Sequence, residues 1–136
     1  MNPRRKILLV DDNDNTLDLL ELFLYDMYDL VTAENGFEGL KVAEHEQPDL
    51  ILTDIMMPVM DGIAFINELR RREQTAHIPV IAITSFAEQA TVKSLLSVGF
   101  CSVVAKPFRR DDIIEKVKTQ LGEDEPPDDR QAESSE

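Results

Sequence analysis

Leu50-Ile51-Leu52-Thr53-Asp54-Ile55-Met56-Met57-Pro58-Val59-Met60-Asp61-Gly62 opens as a short apolar run and closes as a turn before a helix. A run of that length and composition makes a strand buried on both faces. Pro58 breaks any regular element, and Asp61-Gly62 supplies a helix start. The same grammar recurs along the chain. Ile7-Leu8-Leu9-Val10 precedes Asp11 and Asp12, Val80-Ile81-Ala82-Ile83 precedes Thr84, and Ser102-Val103-Val104-Ala105 precedes Lys106. Strands are expected near residues 5–10, 29–33, 49–53, 78–84 and 102–105.

Between these runs the apolar residues return at helical spacing. Leu17, Leu20, Leu24 and Met27 form one stripe behind the capping residues Asn13 and Asp14. Phe37, Leu40 and Ala43 are expected to face inward on a second helix after residues 34–36, and Ile63, Ile66 and Leu69 on a third. A fourth helix is expected from about Ala87 to Val98, stopped by Gly99, and a fifth carries Ile113, Val117 and Leu121, with Gly122 just past its end. Strand-helix alternation repeated five times predicts an α/β fold, a parallel sheet with right-handed crossovers and helices on both faces.

In such a sheet the ligand crevice lies beyond the carboxyl ends of the strands. Asp11, Asp12, Asp54, Thr84 and Lys106 all stand on those ends, so they are expected to converge across as many as 95 residues of sequence. Carboxylates crowded together repel one another unless a cation joins them, which calls for a hard divalent metal. Phosphoryl transfer to a carboxylate needs this set: a nucleophile, for which Asp54 is the natural choice, metal oxygens from Asp11 and Asp12, a hydroxyl from Thr84 and a point charge from Lys106.

The 136 residues carry a net charge of −13, with 43% hydrophobic and 30% charged residues. These are the proportions of one globular domain, and the charge argues against direct, non-specific nucleic-acid binding. No apolar stretch approaches a membrane span, and the basic start lacks the apolar core of a signal peptide. The single cysteine, Cys101, makes no internal disulfide, so a cytoplasmic location is expected. Residues 122–136 hold seven acids and one arginine with no large apolar residue. They are expected to form an acidic, disordered tail to a domain spanning 1–121.

Leu8-Leu9-Val10-Asp11-Asp12-Asn13, Asp54 through Gly62, Ala82-Ile83-Thr84-Ser85 and Ala105-Lys106-Pro107-Phe108 together closely resemble the receiver domain of two-component response regulators. The resemblance spans about residues 5–121, four motifs in order at the family's spacing. It implies a five-stranded flavodoxin-like sheet in the order 2-1-3-4-5, with Asp54 as phospho-acceptor and Asp11 and Asp12 holding Mg²⁺ (or Mn²⁺) together with Asp54 and the Met56 carbonyl. It further implies Thr84 as the switch hydroxyl, Lys106 as the phosphate-binding lysine, a cis Lys106–Pro107 bond, and a histidine kinase or histidine phosphotransfer protein as donor. The output would be a changed protein-binding face offered to a downstream effector. Such a chain catalyses only its own phosphorylation and dephosphorylation and transforms no separate substrate.

The sequence departs from the family pattern in three places. Val103 stands where an aromatic switch residue is usual, leaving Phe86 as a steric substitute, and Cys101 and Ser102 replace acids found in regulators that dimerise through charge pairs. Met56 and Phe86 flank the phosphate position with apolar groups, so slow self-dephosphorylation is expected.

Singly, each motif has a plainer meaning: Asp11 and Asp12 as helix caps, Asp54 as a turn residue, Thr84 as a β-branched strand residue, Lys106 as a solvated lysine. Four such motifs on four strand ends outweigh these. His45 and His77 lack a second ligand at useful spacing and are expected at the surface. Cys101 is expected to be a packing residue, and Met56, Met57 and Met60 loop packing. Asp12-Asn13-Asp14 also resembles a haloacid-dehalogenase phosphatase motif with Asp12 as nucleophile, but that leaves residues 57–62 and Lys106-Pro107 without a role. A receiver fragment cut from a longer regulator with an output domain is a further possibility.

Overall fold

The computed structural model describes residues 4–85 and 89–123. Its elements alternate in order: β1 (Lys6–Val10), α1 (Asp14–Leu24), β2 (Asp29–Ala33), α2 (Gly36–Glu46), β3 (Leu50–Asp54), α3 (Gly62–Arg71), β4 (Val80–Thr84), α4 (Gln89–Val98), β5 (Ser102–Ala105) and α5 (Arg110–Leu121). The strands form one sheet in the order β2-β1-β3-β4-β5, every pairing parallel. That is the α/β doubly wound order expected from the sequence.

Burial follows from position in the sheet. Every residue of β3 and β4 is buried, whereas the edge strands β2 and β5 are only half covered. Side chains alternate between two cores. Ile7 and Leu9 of β1 join α1 and α5 through Leu17, Leu20, Ile113 and Val117. Leu8 and Val10 join α2, α3 and α4 through Leu40, Phe65, Ile66 and Leu95. The helices start where short polar side chains satisfy free amides. Asn13 accepts from Asn15 N (2.9 Å), Asn35 from Glu38 N (2.8 Å) and Asp61 from Ala64 N (2.8 Å).

Two expected inward residues are placed differently. Phe37 is 51% exposed and lies under the Lys41 ammonium, 4.6 Å from its ring centroid. Gly36 and Gly39 take the inner face of α2 instead, because α2 packs too closely on α3 for a larger residue. A Cβ on Gly39 would meet the Phe65 ring at 3.0 Å. Ile63 turns outward, and the buried stripe of α3 runs through Gly62, Phe65, Ile66 and Leu69 at i, i+3, i+4 and i+7. Met27, just past the end of α1 at Leu24, is half-buried and packs against the same core as Leu17, Leu20 and Leu24, in keeping with the expected stripe. Phe86, the expected steric substitute for the switch aromatic, and the first two residues of the expected fourth helix, Ala87 and Glu88, lie outside the described residues, as does the tail from Asp124. Among the described residues no helix is long and apolar enough to cross a membrane.

Candidate functional site

Because all five strands run the same way, the ends of β1, β3, β4 and β5 open onto one edge of the sheet, and the expected residues meet there. Carboxylate oxygens of Asp11, Asp12 and Asp54 lie within 4.8 Å of one another. Asp11 is buried and Asp12 exposed, so the cluster has a floor and a rim. Lys106 reaches in from the end of β5, its Nζ 3.5 Å from Asp11 Oδ2 and 3.4 Å from Asp54 Oδ1. The Lys106 amide donates to the Thr84 carbonyl at 2.9 Å, which ties the ends of β5 and β4 together, and the Lys106–Pro107 bond is cis. Thr84 is buried beside this link.

Burial raises the Asp11 carboxyl above the usual carboxylate range, and the nearby Asp54 charge raises it further. Opposing this are the Asn13 amide, which donates to Asp11 Oδ1 at 2.9 Å, and Lys106. A group whose folded value is raised contributes stability only at low pH and loses it as pH rises, so at neutral pH ionised Asp11 burdens the fold. Asp11→Asn is therefore expected to raise the melting temperature in metal-free buffer and to diminish the stabilisation gained on adding Mg²⁺. Thermal unfolding with EDTA and with Mg²⁺ checks both halves.

The loop after β3 is held tightly. Gly62 N donates to the Ile55 carbonyl at 2.9 Å, and a Cβ on Gly62 would come within 2.5 Å of the Asp54 carbonyl oxygen. Only glycine allows α3 to start against the strand that carries Asp54. In the sequence Asp61-Gly62 signals a helix start, and its close approach to Asp54 leaves no separate local signal. At the loop's tip Val59 has φ +70° with Met60 N on the Pro58 carbonyl at 2.7 Å, an uncommon turn for a β-branched residue. Its side chain is 82% exposed, so it has little packing to lose. Val59→Gly is expected to stabilise the protein by about 1 kcal/mol, relief of left-handed strain exceeding the added chain entropy. The urea midpoint reads this directly.

The remaining expectations sort by burial. Met57 is buried and Met60 half-buried as loop packing, while Met56 is exposed on a cavity of about 350 Å³ shared with Ile55, Ile63, Thr84, Thr91 and Leu95. Val103 is half-buried and leans on the core beneath α2, α3 and α4. Cys101 is half-buried with Sγ 3.3 Å from the Val80 carbonyl, and burial pushes its thiol up, as suits packing. His45 and His77 are exposed.

The model of the response regulator receiver domain matches residues 7–118. The polar-differentiation response regulator DivK of Brucella anthropi is 32% identical over 120 residues, 88% of this chain and 98% of that protein. Among solved structures, the receiver domain of sensor histidine kinase PA1611 from Pseudomonas aeruginosa, with a magnesium ion coordinated in its active site cleft, superposes with a TM-score of 0.81 at 31% identity, covering 88% of this chain and 98% of that one. The chemotaxis response regulator CheY4 of Vibrio cholerae gives 0.82 at 28% identity over 87% and 99%. The haloacid-dehalogenase reading gains no support: Lys106 pairs with Asp11 and Asp54, and the match is to receivers. The chain belongs to the response regulator receiver domain family, the phosphorylation-driven switches of two-component signalling.

Proposed function

We propose that the chain accepts a phosphoryl group on Asp54 from a phosphohistidine of a kinase or phosphotransfer protein, and that the modified protein offers a changed face to an effector protein. One observation carries this reading: three carboxylates share a space 4.8 Å across, with the Lys106 ammonium against two of them. In the transfer, an Asp54 carboxylate oxygen forms the new O–P bond as the P–N bond of the donor breaks, and the imidazole nitrogen keeps the electron pair. Lys106 exchanges its contact with Asp54 for a phosphoryl oxygen. Thr84, at the end of the adjacent strand, donates its hydroxyl to another.

The donor set fits Mg²⁺ or Mn²⁺: hard oxygens from three carboxylates, two buried and one exposed, in a cluster that repels itself without a cation. Asp11, Asp12, Asp54 and the Met56 carbonyl would hold the ion, which when bound supplies charge neutralisation for the incoming phosphate. A location in the cytoplasm, where histidine kinases present their phosphoryl groups, accords with the chain's composition.

Met56 stands exposed on the groove beside Thr84, an apolar side chain where a polar one would orient water. Met56→Asn is expected to shorten the phosphoryl lifetime several-fold, followed by the loss of acid-labile phosphate after removal of donor. An unchanged lifetime excludes shielding by Met56. Intact-protein mass after incubation with Mg²⁺ and acetyl phosphate tests the acceptor itself. One added phosphoryl group, absent with EDTA and localised to Asp54, is expected; labelling at any other residue overturns the assignment.

A further inference from the structure

Thr53 is fully buried in β3, and its registered neighbours, Val10 on β1 and Ala82 on β4, are apolar. A hydroxyl in such surroundings costs free energy unless it makes a bond that valine would not. Its bond is to the next residue: Oγ1 donates to the Asp54 backbone carbonyl at 2.9 Å. The amide of the same peptide unit, Ile55 N, donates to the Asp54 carboxylate, again at 2.9 Å, on Oδ1. The Asp54–Ile55 peptide is thus held at both ends, its carbonyl by Thr53 and its amide by the carboxylate. A Cβ on Gly62 would come within 2.5 Å of the same carbonyl oxygen, so α3 begins close against this peptide.

We infer that Thr53 is a positioning residue for the reacting carboxylate: its hydroxyl sets the plane of the Asp54–Ile55 peptide, whose amide holds Oδ1 and with it the Asp54 rotamer. A hydrogen bond received at a peptide carbonyl also strengthens donation from the amide of that unit. Oδ1 is the oxygen that Lys106 faces at 3.4 Å, so the same peptide aligns the carboxylate with the cation. The inference rests on Asp54 being the acceptor and deepens that reading by adding a residue that touches neither phosphate nor metal.

The test compares wild type, Thr53→Val and Thr53→Ser in the rate of Asp54 labelling by acetyl phosphate at saturating Mg²⁺, below the unfolding transition of all three. Valine is expected to slow labelling about fivefold, the worth of one neutral hydrogen bond, and serine to stay within about twofold of wild type. Hydrogen exchange at the Ile55 amide is expected to quicken in the valine variant alone. Should valine not fold, Thr53→Ala takes its place against the same serine control. Valine labelling at the wild-type rate, or serine slowing as much as valine, overturns the role of Thr53 and leaves the acceptor assignment standing. A wild-type protein that labels elsewhere than Asp54 overturns both.

Discussion

Asp54→Asn is expected to take no phosphoryl group from acetyl phosphate in the presence of Mg²⁺, where the wild type takes one. The amide has no ionised oxygen to form the O–P bond, and no other carboxylate of the cluster occupies its place. Asp12 is on the rim, and Asp11 is buried with Oδ1 committed to the Asn13 amide and Oδ2 facing Lys106. The loss should therefore be complete rather than partial. It should also come without unfolding, because asparagine removes one negative charge from a self-repelling group. A melting temperature at or above wild type, measured in metal-free buffer, separates lost chemistry from lost structure. Peptide mapping of the wild-type product locates the added group.

Phe65→Ala is expected to cost about 4 kcal/mol of stability, the largest effect of any single truncation considered. Among the described residues Phe65 is the largest fully buried side chain, at 0% exposure. Its ring lies against Gly39 and its Cβ against Gly36 on α2, where the absence of side chains lets the two helices close. Alanine would leave a cavity against the glycine-lined face of α2, which has no side chain with which to fill it. Since whole domains are stable by only about 5–15 kcal/mol, a large share of the margin would go. Urea denaturation checks the figure, and Phe65→Leu, with much of the volume kept, should cost clearly less. The site would feel the change too, because Gly36 N donates to the Met60 carbonyl at 3.2 Å and so braces the loop beyond Asp54.

The fold was legible because its signals are local and repeated. Apolar runs of strand length followed by acids, capping residues and glycines recur in a fixed rhythm, and each can be read without knowing where the others lie. The convergence of Asp11, Asp12, Asp54, Thr84 and Lys106 was legible for a topological reason. Parallel strands bring their carboxyl ends to one edge whatever the intervening helices contain. Helix faces were harder. Phe37 and Ile63 are apolar and near the helical period, yet both turn outward because glycines and Phe65 occupy the close contact between α2 and α3.

What the sequence by itself determined, then, is the order of elements and the inventory of groups at the strand ends, since strand burial and residue type depend on neighbours along the chain. Tertiary structure alone decided the distances. Lys106 at 3.4 and 3.5 Å from two carboxylates, Gly62 against the Asp54 carbonyl and Thr53 on the peptide beneath the acceptor are contacts between backbone and side chains packed from separate elements or turned at a strand end. Their geometry follows from close packing of the whole domain, in which a shift of a few tenths of an ångström at one helix is transmitted to the next, and no local pattern encodes it.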